Sequence, residues 1–256
     1  MLPELECLDR VIPIARAAGA IVMQVYATAF EVAAKHDASP VTEADTRAEA
    51  LIEAELARLA PDVPIVSEEA VGAGRVPTFA ERFWLVDPLD GTREFVARNG
   101  EFTVNVALIE HGRAVLGVVF APALGRLFAG VVAAQAFEEE GSGRRKPLAC
   151  RRASTAGLAV VSSRSHADGE ALDAYLAGRV VAARRSVGSS LKFCLVAGAE
   201  ADLYPRFGRT MEWDTAAGHA VLAAAGGRVT ELDGAELRYG KPGLANPPFL
   251  ASGALD

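Results

Sequence analysis

The stretch Trp84-Leu85-Val86-Asp87-Pro88-Leu89-Asp90-Gly91-Thr92 carries the decisive pattern of this chain. An apolar run, expected to be a strand, ends at Asp87. Pro88 has no amide donor, so ladder pairing is expected to stop there. Asp90-Gly91 makes a sharp turn. Thr92 then opens a helix whose first backbone N–H groups have no partner within it. The spacing brings Asp87 and Asp90 together at a strand end, beside a helix N-terminus. Two hard oxygen donors attract a Mg2+-type cation, and the N–H groups favour a phosphate next to it. One Asp-x-x-Asp can equally be a turn acid followed by a helix cap, so its companions matter.

Two companions have the same form. Val66-Ser67-Glu68-Glu69 ends a short apolar run in paired acids, and Glu212-Trp213-Asp214-Thr215-Ala216-Ala217-Gly218 is a third acidic strand-to-helix junction. No cysteine or histidine cluster competes with them. Several carboxylates cannot stay ionised close together without cations, so the set implies a metal.

Working outward, apolar positions at helical spacing predict a helix over 5–28, with Pro13 as a candidate start. Thr42 reads as the N-cap of a second helix, with Asp45 in the capping-box position and Pro61 beyond its end near Leu59. Strands are expected at 64–66, 83–86, 102–109, 114–120 and 127–133, with His111-Gly112 as a hairpin turn. The charged run Glu138 to Lys146 reads as a solvated loop. The second half alternates: strands at 158–163, 179–183, 202–204 and 228–230, helices at 168–177, 189–199 and 214–225. The fold class is α/β (α+β). One domain spans 1–256, built from subdomains of about 1–150 and 151–256 that share a cleft.

The bulk numbers narrow the function. A net charge of −7 argues against a nucleic-acid partner, which needs a basic face. Cys7, Cys150 and Cys194 form no CxxC pair and read as reduced thiols of a cytoplasmic protein, with Cys194 buried in an apolar run. The opening has acidic Glu4 and Glu6 where a signal peptide would have a basic region. No apolar run is long enough for a membrane span. A peripheral inner-membrane contact stays compatible with this, and the state is monomer or homodimer.

Taken together, Asp45, Glu68-Glu69, Asp87 to Thr92 and Trp213 to Gly218 resemble the lithium-sensitive, Mg2+-dependent phosphatase superfamily of the inositol monophosphatases. The text Asp87 to Phe95 and Arg98-Asn99-Gly100-Glu101-Phe102-Thr103-Val104-Asn105 is similar to the CysQ-type 3'(2'),5'-bisphosphate nucleotidases. So are Ser163-Arg164-Ser165-His166, Gly188-Ser189-Ser190-Leu191-Lys192-Phe193-Cys194 and Leu203-Tyr204-Pro205-Arg206-Phe207. The resemblance covers nearly the whole chain. It implies a layered αβαβα sugar-phosphatase fold. It also implies Mg2+-dependent hydrolysis of adenosine 3',5'-bisphosphate to AMP and phosphate, a by-product clearance in sulfur assimilation, and action on 3'-phosphoadenylyl sulfate.

The resemblance also implies roles. Glu68, Asp87 and the Leu89 carbonyl hold one Mg2+; Asp87, Asp90 and Asp214 hold a second, of two or three ions in all. Glu68 and Thr92 activate the attacking water, with Asp45 supporting Thr92. The N–H groups of Gly91 and Thr92 bind phosphate, and Asp214 reaches the leaving oxygen through a water. Glu69 is either a supporting acid behind the ligands or an outer metal ligand. Ser189, Lys192 and Arg206 meet the second phosphate, and His166 lies near the ribose or base. Arg93 and Arg98 are either phosphate contacts or exposed, while His219 and Trp213 read as structural. The alternatives are an inositol monophosphatase or other sugar-phosphate phosphatase, and a phosphonucleotide sensor without turnover.

Overall fold

The computed structural model describes residues 3–34, 40–76, 78, 80–141, 143–164 and 169–254. The seven strands of the first sheet are β1 (Ile65–Ser67), β2 (Arg82–Asp90), β3 (Thr103–Glu110), β4 (Arg113–Ala121), β5 (Arg126–Val131), β6 (Gln135–Glu140) and β7 (Arg145–Pro147). They lie side by side in chain order, β1 parallel to β2 and each later neighbour antiparallel. Successive side chains of a strand point to opposite faces. Phe83, Leu85, Ala107 and Ile109 therefore enter one core, and Trp84, Val86, Val106 and Leu108 the other. Burial on both faces explains why these strands read as continuous apolar runs rather than alternating ones.

Helices α1 (Glu4–Tyr26) and α2 (Glu43–Leu59) cover the Trp84 face. Leu8, Val11, Ile52 and Leu56 are fully buried there, each contributing about 1.5–3 kcal/mol. α1 runs through Pro13 instead of starting at it. Pro13 and Asp9, whose carbonyl loses its helical partner, both lie on the exposed side, where water can replace the bond. Thr42 caps α2 as expected: its hydroxyl accepts from Ala44 N, and its own N–H donates to Asp45 Oδ2 at 2.8 Å.

Two helices cover the Phe83 face: α6 (Leu191–Ala197) and α7 (Ala216–Ala224). Beyond them lies the second sheet, in the order β9 (Val181–Val187), β8 (Leu158–Ser163), β10 (Leu203–Arg206), β12 (Phe249–Ser252) and β11 (Arg228–Glu231). Its outer face packs Val160 and Leu203 on α5 (Gly169–Leu176). The remaining short helices are α3 (Glu68–Gly72) and α4 (Thr92–Val96). The layers are thus α1/α2, first sheet, α6/α7, second sheet and α5, the αβαβα order that was expected.

Other local features also differ from expectation. β2 does not stop at Asp87 but continues to Asp90, with a register break between the Asp87–Asn105 and Asp90–Thr103 pairs. A bulge absorbs Pro88, which has no N–H to give the ladder. The charged run from Glu138 is no solvated loop: it ends β6, turns, and returns as β7. Glu138 and Glu139 are buried because Arg126 meets the first and Arg16 and Arg145 meet the second. The C-terminal β12 was not foreseen; it is a short strand between two antiparallel partners.

Candidate active site

β1 ends at Ser67, in register with Val86 of the parallel β2. Glu68, which opens α3, and Asp87, the next residue of β2, therefore lie toward the same sheet end. Asp87 is buried, and its Oδ1 accepts from Leu89 N at 3.0 Å, which bends the chain toward Asp90. Gly91 has φ 90°, a left-handed conformation that a side chain would strain, and it swings the chain into α4. Asp214 enters from the other direction, just ahead of α7. Its Oδ2 accepts from Met211 N at 2.8 Å.

These groups line one cavity of about 210 Å3 between the two sheets. Its wall holds five acids (Glu68, Asp87, Asp90, Glu94 and Asp214) and four cations (Arg93, Lys192, Arg206 and Arg209). Leu89, Gly91, Thr92 and Ser189 line it too. Of the expected site residues, Asp45 stands behind this wall, and His166 lies outside the described residues. Asp45 is fully buried, and the Thr92 hydroxyl approaches its Oδ1 at 3.4 Å and the Leu89 carbonyl at 3.3 Å.

The electrostatics of the carboxylates are strained. Burial pushes the Asp214 carboxyl well above the ordinary range, and the charges of Asp90 and Glu68 push it further. Burial also raises Asp90, opposed by Lys192 and by hydrogen bonds from Ser190 and Asn105. A cation would relieve this repulsion. Among the described residues, no three Asp, Glu, His or Cys groups are gathered tightly enough to form a cage by side chains alone. The donors are nonetheless all hard oxygens, and the Leu89 carbonyl would add a main-chain one, so the set fits an oxygen-seeking divalent ion.

Lys192 is buried rather than on a helix surface. Its Nζ donates to Val187 O at 3.1 Å and Ser189 O at 2.5 Å and sits 5.1 Å from the Tyr204 ring centre. Burial draws its pKa down to about 8, although Asp90 opposes this. Ser189 sits at φ 50° beside it. Arg206 is buried, donating to Arg209 O.

Other readings divide. His219 is structural, its Nδ1 2.9 Å from Tyr239 Oη. Trp213 is packed in the core. Arg98 does not line the cavity, as Arg93 does; its guanidinium donates to Tyr26 O and Thr28 O. Glu69 faces a neighbouring cavity of about 680 Å3, which shares Glu68 and Arg209 with the first, and its N–H donates to Glu49 Oε2. Sequence reasoning missed Asn105 and Ser190. Asp90 Oδ2 accepts from Ser190 N at 2.6 Å and Asn105 Nδ2 at 3.2 Å. Asn105 Nδ2 also donates to Ser190 Oγ, which donates to the Asp214 carbonyl. Both residues stood in the quoted motifs, but nothing in spacing alone shows two uncharged side chains clamping an acid.

The inositol monophosphatase family model matches residues 4–254. The chain belongs to the inositol monophosphatase family. Among family members, it is 50% identical over 248 residues to a protein named 3'(2'),5'-bisphosphate nucleotidase CysQ from Escherichia coli K12, covering 96% of this chain and 99% of that one. A CysQ of the same name from Salmonella typhimurium is 50% identical over 245 residues, covering 94% and 98%. The family fold is matched by the crystal structure of CysQ from Bacteroides thetaiotaomicron, at TM-score 0.81, 35% identity and 98% coverage of both chains. The Thermotoga maritima IMPase matches at TM-score 0.81 and 29% identity, covering 98% of this chain and 93% of that one. No helix of the described residues is long and apolar enough to cross a membrane.

Proposed function

We propose that this family member is a Mg2+-dependent 3'(2'),5'-bisphosphate nucleotidase that converts adenosine 3',5'-bisphosphate to AMP and phosphate and also accepts 3'-phosphoadenylyl sulfate. The observation that carries the reading is that one cleft gathers both kinds of charge. Glu68, Asp87, Asp90 and Asp214 suit metal and scissile phosphate, while Lys192, Arg206 and Arg209 suit a second anionic group. The 50% identity to proteins named for that activity supports the same choice.

Glu68, Asp87 and the Leu89 carbonyl would hold one Mg2+, and Asp87, Asp90 and Asp214 a second. When bound, such ions polarise the phosphoryl group and neutralise its charge. The residues supply the rest. The Thr92 hydroxyl has one proton, and charged Asp45 is a stronger acceptor than the Leu89 carbonyl. Spending the proton on Asp45 leaves the Thr92 lone pairs to accept from a water, and Glu68 takes that water's proton as it attacks phosphorus. The N–H groups of Gly91 and Thr92 bind the phosphoryl oxygens, where transition-state charge is spread. The bond to the 3'-oxygen breaks, and that oxygen takes a proton from a water held at Asp214. Ser189, Lys192 and Arg206 would bind the 5'-phosphate, with His166 near the ribose or base. The reading includes a cytoplasmic setting, in keeping with three unpaired thiols, and a monomer or homodimer.

A phosphate-release panel with and without Mg2+ tests it. Adenosine 3',5'-bisphosphate should give the highest kcat/KM; a panel won by inositol 1-phosphate or fructose 1,6-bisphosphate would sink the nucleotide assignment. Asp87→Asn should abolish Mg2+-dependent release, and a wild type without release would favour a sensor.

A further inference from the structure

The sequence segments that resemble the nucleotidases lie far apart in the chain, and Glu101 touches several of them. Its carboxylate takes a forked pair from Arg164, with Nε 3.1 Å from Oε2 and Nη2 3.0 and 2.9 Å from Oε1 and Oε2. Arg164 Nη2 also donates to Ser186 O at 2.9 Å. Glu101 Oε2 further accepts from Gly188 N at 2.8 Å. One first-half side chain thus grips the end of β8, where the 163–166 segment begins, and the turn that opens the Gly188 to Lys192 segment.

The main chain at 101 is equally confined. A methyl on Gly188 would lie 2.5 Å from Glu101 O and 2.6 Å from Glu94 Cγ, and one on Gly91 would lie 3.2 Å from the same Glu101 oxygen. Residue 101 is therefore wedged between the catalytic turn at Gly91 and the loop carrying Ser189 and Lys192. None of its polar atoms needs to meet substrate for it to set the distance between the two sides of the cleft.

We propose that Glu101, through Arg164 and Gly188, is a specificity-positioning residue: it holds the loop carrying Ser189 and Lys192 at the spacing that fits a nucleotide with two phosphates. This rests on the nucleotidase reading. The Arg164 side chain is 46% exposed, so the ion pair adds little stability. Its removal should show in substrate binding rather than in folding.

The experiment measures kcat and KM for adenosine 3',5'-bisphosphate and for adenosine 3'-monophosphate, which lacks the second phosphate. Wild type, Glu101→Gln, Arg164→Ala and Arg164→Lys are compared, with melting curves to check folding. Glu101→Gln and Arg164→Ala should raise KM for the bisphosphate about tenfold, with kcat changed less than about threefold. KM for the monophosphate should stay within about twofold of wild type. Arg164→Lys, which keeps the charge but loses the fork, should fall between. An equal KM rise for both substrates, a loss confined to kcat, or no change in either overturns the inference. A wild type that prefers the bisphosphate, with variants that keep the preference undiminished, overturns this inference alone. A wild type without the preference overturns the nucleotidase reading and this inference with it.

Discussion

Asp90 is held from both sides of the cleft, by Asn105 on β3 and by Ser190 ahead of α6. Ser190→Ala would leave the Asn105 amide and the Asp214 carbonyl each short of a partner, at a loss of about 1–3 kcal/mol. It should also weaken Mg2+ binding, because the Asn105 amide that donates to Asp90 would lose its anchor on the Ser190 hydroxyl, while the Ser190 N–H bond to Asp90 remains. A Mg2+ titration of phosphate release should then show a higher half-saturating concentration; an unchanged curve would leave Ser190 with a purely structural role. His219 gives a separate test. Burial lowers its pKa from 6.5 to about 4. Between those values the unfolded chain binds a proton that the folded ring refuses, so this contribution is complete above pH 6.5 and lost as pH falls toward 4. The full difference is on the order of 3 kcal/mol. Denaturant melts at pH 7 and pH 4.5 should show a larger drop for wild type than for His219→Gln, which keeps an acceptor for the Tyr239 hydroxyl. Equal drops would mean that the ring is protonated in the folded state.

At the scale of elements, much of the layering could be read from periodicity, since strands buried on both faces give unmistakable apolar runs. Thr42 with Asp45 named its helix start because a capping box is a local device. What escaped was non-local. Glu138 and Glu139 look like loop residues until Arg16, Arg126 and Arg145 arrive from elsewhere in the chain. β12 is too short to announce itself without β10 and β11 beside it. In the site, charged residues in strand-to-helix junctions were legible, whereas Glu101, Asn105 and Ser190 act through partners that only the fold supplies. Helix α7 shows how tightly elements must fit. A methyl on Gly117 of β4 would sit 2.3 Å from the Ala217 carbonyl oxygen and 2.9 Å from Ala220 Cβ. The obstacle is main chain, so Gly117→Ala must push α7 outward, with a loss of about 1–3 kcal/mol. Asp214 leads into that helix, and kcat should drop alongside the melting temperature. Full activity in Gly117→Ala would show that the helix can shift without moving Asp214.

For the whole molecule, the repulsion among Asp214, Asp90 and Glu68 would link stability to the proposed ion. A ligand that binds only the folded state at about a hundred times its Kd adds about 2.7 kcal/mol. At this chain length, each kcal/mol moves the melting point by about 2–4 °C. Mg2+ should raise the melting temperature accordingly, chelator should reverse it, and Asp87→Asn should abolish the difference. A shift that survives in Asp87→Asn would place the stabilising ion elsewhere.

The clamp on Asp90 also bears on timing. Ser190 lies 100 residues downstream of the acid that it orients, so the proposed metal site is completed by one of the longer loop closures in the chain. During refolding, such closures come late. Helical signal and tryptophan burial should recover before phosphatase turnover does, and a nascent chain still short of residue 190 would carry Asp87 and Asp90 without the partner that sets Asp90 in place.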